Sequence, residues 1–76
     1  MDEIAVLGVI KKTSTNYVIV TDDGKEYRLS AILPWEAISP DYNTYEFELN
    51  LGKRMSVSGV TNGHTIYRAS LSEINE

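Results

Sequence analysis

The chain has 76 residues, no cysteine, and a formal charge of −4 from 7 basic and 11 acidic side chains. That length holds one domain, residues 1–76, with a thin core, because a fold of this size buries only about 60% of the surface its unfolded chain exposes. Disulfides and thiolate metal sites are excluded, and the single His64 has no carboxylate cluster from which to build a zinc site.

Stability therefore comes either from efficient packing alone or from self-association, which leaves a homo-oligomer open. No run approaches the roughly 18 consecutive apolar residues of a membrane span. The start, Met1-Asp2-Glu3, is acidic where a signal peptide is basic. The expected setting is the cytoplasm, with no membrane partner and no cofactor.

The charge is unevenly spread. Residues 31–52 carry Glu36, Asp41, Glu46 and Glu48 and no Lys or Arg, and the chain ends add Asp2, Glu3, Glu73 and Glu76. All seven bases fall in the segments read below as strands. Such a pattern keeps a small domain soluble; it also allows a basic face able to meet an anion.

Nineteen residues are Val, Ile or Thr and five are Tyr, which suits a pleated surface, and no helix-length stretch keeps a 3.6-residue period. A first strand is expected over residues 4–12. Ile4, Val6, Gly8 and Ile10 alternate there with Ala5, Leu7, Val9 and Lys11, so both faces read as covered. Gly8 marks a bulge or sharp bend. Thr13-Ser14-Thr15-Asn16 is a turn cluster. Strands over residues 17–21 and 25–30 form a hairpin around Asp22-Asp23-Gly24, with Tyr27 and Leu29 on one face and Arg28 on the other.

The connector, residues 31–52, is harder to read. Leu33-Pro34-Trp35-Glu36-Ala37-Ile38 suits a short helical turn with Pro34 at its first position, and Ser39-Pro40-Asp41 ends it. Tyr45, Phe47, Leu49 and Leu51 then alternate with polar residues, which predicts an extended segment, although Tyr42, Tyr45 and Leu49 would also share one helical face. Strands over residues 53–60 and 64–71 close the chain around Asn62-Gly63, a two-residue hairpin signal. Met55 and Val57 point inward on the first, and Tyr67, Ala69 and Leu71 on the second.

Three strands, a connector with a helical turn, and a final hairpin make an all-β, five-stranded barrel laid out like the oligonucleotide/oligosaccharide-binding (OB) fold. The wording resembles small bacterial OB-like domains of unassigned role. The matching phrases are Gly8-Val9-Ile10, Asp22-Asp23-Gly24-Lys25-Glu26-Tyr27-Arg28-Leu29, Leu51-Gly52-Lys53-Arg54-Met55-Ser56-Val57-Ser58-Gly59 and Thr65-Ile66-Tyr67. The resemblance implies ligand binding on the face around strands two and three.

No nucleophile–base–acid set can be assembled, so no enzyme and no catalytic residue is expected. His64 and the Asp22-Asp23 pair read as turn residues. The candidate ligand-binding residues are Tyr17, Arg28, Lys11, Lys12 and Lys25. With Val18 and Val20 in the core, Tyr17 and Arg28 would face outward together, one aromatic platform and one cation for single-stranded nucleic acid. A second class of partner is a protein. For that role the candidates are Trp35, Tyr45 and Phe47, with residues 44–51 as an exposed strand edge open to pairing, self-assembly included. Trp35 is expected to plug the barrel end, with an exposed anchor as its alternative.

Overall fold

A computed structural model describes residues 1–14, 16–36 and 44–74. The expectations placed on Thr15, on the end of the helical turn at Ala37 and Ile38, on Ser39-Pro40-Asp41 and on Tyr42 lie outside the described residues.

The elements are β1 (Asp2–Lys12), β2 (Tyr17–Thr21), β3 (Glu26–Leu29), α1 (Tyr45–Leu49), β4 (Arg54–Thr61) and β5 (Thr65–Glu73). They close a barrel in the order β1-β2-β3-β5-β4. Every pairing is antiparallel except β3 with β5, which run parallel through Arg28–Thr65 and Leu29–Ile66. This is a closed, mixed, five-stranded barrel with one short helix between β3 and β4, consistent with an OB-like fold.

β1 serves two neighbours. Its first part pairs with β4 from Asp2 to Val9, and its second with β2 from Gly8 to Lys12. The change of partner falls at Gly8. A Cβ there would overlap the Val20 carbonyl oxygen, so the glycine is required by close backbone approach.

The core gathers Ile10, Ile19, Tyr27, Leu29, Phe47, Met55, Val57, Ile66 and Leu71, with Ile4, Val6, Tyr17 and Ala69 packed against it. β1 is covered on its inner face only. Ala5 and Leu7 are exposed on the outer one, so the two-sided cover read from its apolar run is corrected.

β2 departs from the expected orientation at Tyr17 and Val20, while Val18 is buried as expected. Ile10, Ile19 and Tyr27 stand in one cross-strand row inside the barrel, and Lys11, Val18 and Arg28 in the next row on the opposite face, where Val18 is itself buried at 3% exposure. Tyr17, Ile19 and Thr21 therefore face inward, and Val20 does not belong to the core. Both faces of β2 are β-branched, so its own sequence could not select between them; the register against Tyr27 does.

β5 changes parity partway. Val60 pairs with Tyr67 and Ser58 with Ser70, so Arg68 and Ala69 oppose the single residue Gly59. This bulge puts Ile66 inside before it and Ala69 and Leu71 inside after it, while Tyr67 turns half-exposed to the outer face. Arg68 takes a positive φ of 51°, and Gly59 has no room for a side chain against the Tyr67 carbonyl.

The β4–β5 turn holds three residues rather than two. Asn62 Oδ1 accepts the amide hydrogens of His64 and Thr65 at 2.9 and 3.0 Å, an Asx-type turn.

The extended segment read over residues 44–51 is a helix at Tyr45–Leu49. Within its period-two pattern Phe47 is buried at 1% exposure and Leu51 packs against the core, whereas Tyr45 and Leu49 are 71% and 56% exposed. A barrel already closed by β1–β4 and β3–β5 pairing offers this segment no neighbouring strand. One helical turn instead drops Phe47 onto the core. Its end is pinned to β1, with the Gly52 amide donating to the Ile10 carbonyl at 2.7 Å and the Ile10 amide to the Lys53 carbonyl at 3.1 Å.

Candidate functional site

The β3–β5 seam opens into a cleft of about 330 Å³ on the barrel surface. Its walls come from three places. Asn16 precedes β2, Arg28 and Tyr67 belong to β3 and β5, and Leu33, Pro34 and Glu36 belong to a strap that leaves β3. Each wall is held by local hydrogen bonds.

Asn16 is fixed by a turn in which the Thr13 amide donates to the Asn16 carbonyl at 2.8 Å and the Asn16 amide to Thr13 Oγ1 at 3.2 Å. Arg28 sits in the parallel seam, its amide donating to the His64 carbonyl at 3.0 Å and its side-chain nitrogen to Asn16 Oδ1 at 3.2 Å. The strap leaves β3 through Ser30, whose amide donates to the Ile66 carbonyl and whose carbonyl accepts from the Ala69 amide, both at 2.9 Å.

The strap makes a single turn, the Glu36 amide donating to the Leu33 carbonyl at 3.1 Å. Glu36 Oε1 reaches back to accept the Leu33 amide at 2.9 Å, much as the third residue of a capping box does. The same oxygen accepts Arg68 Nε at 3.2 Å. The Leu33 amide and then Arg68 hold the Glu36 carboxyl below its ordinary pKa. The strained Arg68 of the β5 bulge thus anchors the strap.

Trp35 lies between Pro34 and Glu36 and is 70% exposed. It does not plug the barrel; Phe47 does. The expected plug at Trp35 and the expected interaction role of Phe47 are both corrected, because the chain enters the barrel end from α1.

The five candidate ligand residues do not come together. Tyr17 lies at the barrel floor, its hydroxyl donating to Glu48 Oε2 at 2.6 Å and its ring 5.7 Å from that of Phe47. That hydrogen bond, followed by partial burial, raises the Tyr17 pKa. Lys12 joins it, 3.8 Å from Glu48 and 5.2 Å over the Tyr17 ring. Lys25 stands at the β2–β3 tip, 5.9 Å from the Tyr27 ring. Only Lys11 and Arg28 share the outer face, in one row across Val18. The outward pairing of Tyr17 with Arg28 is therefore corrected. Tyr45 is exposed on α1 and is not part of a strand.

Sequence reasoning passed over Asn16, Glu36, Tyr67 and Arg68. Glu36 had a readable signal, three residues after Leu33 across a Pro34 turn. Tyr67 and Arg68 had none, because a bulge reorients them.

The hairpin tip carries a further pair. Arg54 Nε donates to Asp22 Oδ1 at 3.1 Å, and this bond holds the Asp22 carboxyl below its ordinary pKa. Asp23 is lowered first by the Thr21 hydroxyl, which donates to it. Among the described residues no three His, Cys, Asp or Glu side chains gather as metal ligands, and no helix is long and apolar enough to cross a membrane.

In comparisons with known proteins, no family model, curated protein or solved structure matches the chain.

Proposed function

We propose that this domain is a non-catalytic binding module that holds an extended segment of a protein partner in the β3–β5 cleft, with Trp35 as its anchor. The observation that carries this reading is the position of Trp35. A chain with so little core leaves its largest apolar side chain 70% in water, between two residues that line a cleft. Burying such a ring against a partner is worth several kcal/mol by area, on the order of 25 cal/mol per Å², and Trp is enriched at binding hot spots.

Charge favours a protein over a polyanion. The domain carries −4 overall, and Lys12, Arg54 and Arg68 each pair with a carboxylate. Single-stranded nucleic acid is the second reading. It is supported by the Lys11–Val18–Arg28 row on the face that an OB-like barrel offers to oligonucleotides. Self-assembly through a strand at residues 44–51 is not part of the proposal, since that segment is helical.

The test is a random peptide library selected in parallel on the native domain and on Trp35→Ala. Sequences enriched on the native domain and lost on the variant support the reading. Equal recovery on both would sink it. Saturable binding of oligothymidine at low salt, weakened by Lys11→Ala and Arg28→Ala, would transfer the site to the nucleic-acid reading.

A further inference from the structure

Three arginines stand on this barrel, and two of them are paired. Arg54 is bound to Asp22 and Arg68 to Glu36, whereas Arg28 has no carboxylate partner among the described residues. Arg28 also lines the cleft, together with apolar Leu33 and Pro34. We infer that the segment the cleft takes carries a carboxylate, bound by the Arg28 guanidinium, with a neighbouring apolar side chain packed against residues 33–35. This inference rests on the protein-partner reading above and specifies its chemistry.

Arg28 is arranged for such a ligand. Its backbone is fixed by the His64 carbonyl, and its side chain by Asn16, itself locked in the Thr13 turn. Asn16 takes one edge of the guanidinium. The remaining N–H groups can form the parallel, charge-assisted pair that a carboxylate accepts. Little flexibility is then lost on binding, which conserves affinity.

The cleft's own acid does not oppose this. Glu36 Oε1 is held by the Leu33 amide and by Arg68, so its charge is locally offset and its carboxylate is anchored in the strap.

Size and charge together select a peptide. A 330 Å³ cleft is at the small end of ligand sites and has room for a few side chains. A nucleic-acid strand needs a run of cations and several stacking platforms. Lys12, Arg54 and Arg68 are all committed to carboxylates, and Tyr17 is turned onto the barrel floor.

The peptide selection can be read for this. Sequences enriched on the native domain should share Asp or Glu within a few positions of an aromatic or aliphatic residue. Synthetic copies with amidated and free C-termini then separate a side-chain carboxylate from a terminal one. Arg28→Gln should weaken binding by about ten- to a hundredfold, the weight of one charge-assisted pair. Replacing the peptide carboxylate by its amide should cost the same, with no further loss when both changes are combined. Thermal unfolding of Arg28→Gln shows whether the fold survives, and Arg28→Lys, which keeps the charge, replaces it if not. Enriched peptides that lack a carboxylate, or that ignore Arg28→Gln while requiring Trp35, overturn this inference and leave the protein-partner reading standing. Failure of enrichment on the native domain ends both, as does displacement of the selected peptides by oligothymidine.

Discussion

The hydroxyl of Tyr17 donates a 2.6 Å hydrogen bond to Glu48, and the ring of the same tyrosine lies 5.7 Å from that of Phe47. Two consecutive residues of α1 thus grip the first residue of β2, one by its carboxylate and one by its ring. α1 is only five residues long, too short to be stable by itself. It is held as the floor of the barrel, and the barrel core is completed by it.

Removing the plug should therefore be severe. Phe47→Ala is expected to cost about 3–5 kcal/mol from lost burial and an unfilled cavity. A domain of this length has only about 4–11 kcal/mol in total. The variant should lose most of its cooperative unfolding transition in urea, while Phe47→Leu keeps one at a lower midpoint. Tyr17→Phe retains the ring contact and should be milder than either. An unchanged midpoint for Phe47→Ala would show that the ring does not fill the core.

Stability should fall at both ends of the pH range, for different groups. Asp22, Asp23 and Glu36 have carboxyls lowered in the folded state. Their contribution is complete above the ordinary carboxyl range and is lost as pH falls below about 4 through the lowered values. Tyr17 is raised above its ordinary 10.0. Its contribution is complete below pH 10 and is lost as the folded-state phenol ionises above it. Urea midpoints across pH should show both declines, and Tyr17→Phe should flatten the alkaline one.

Gly8→Ala should destabilise the barrel by at least about 2 kcal/mol. The added carbon meets the Val20 carbonyl oxygen and lies 2.7 Å from Thr21 Cα, backbone atoms that cannot turn aside. Separating β1 from β2 is the available relief, so amide exchange in β2 should accelerate. A neutral substitution would mean that the strands pass one another less closely.

Arg68 offers a comparison between strain and charge. At φ 51° a non-glycine residue costs roughly 1–2 kcal/mol. An ion pair as exposed as Arg68–Glu36, 64% and 21% on its two sides, contributes little in water. Arg68→Gly should raise the thermal midpoint, and Arg68→Ala, which keeps the strain and loses only the weak pair, should leave it nearly unchanged. Both variants falling together would show that the ion pair outweighs the strain.

Trp35 is the only tryptophan, so its fluorescence reports on the strap alone. At 70% exposure it should emit at a long wavelength, quench readily with acrylamide, and tolerate Trp35→Ala without loss of stability. A blue-shifted, protected emission would return Trp35 to the core.

The sequence by itself determined the all-β class, the hairpin at Asp22-Asp23-Gly24 and the inward side of β3 and β4. These follow from local turn chemistry and from alternation in which one face is plainly apolar. It did not determine the inward face of β2, because Tyr17-Val18-Ile19-Val20-Thr21 suits both. Nor did it show the switch of parity at Arg68, where one extra residue moves Tyr67 to the surface. Tertiary structure decided both through strand register, which no single strand contains. Barrel closure decided the rest. It left no edge for residues 44–51, so Tyr45–Leu49 became a helix, Phe47 filled the floor, and Trp35 stayed exposed in the strap. The candidate cleft is assembled from three separate stretches of chain, and only the fold brings Asn16, Arg28, Glu36 and Tyr67 to one place.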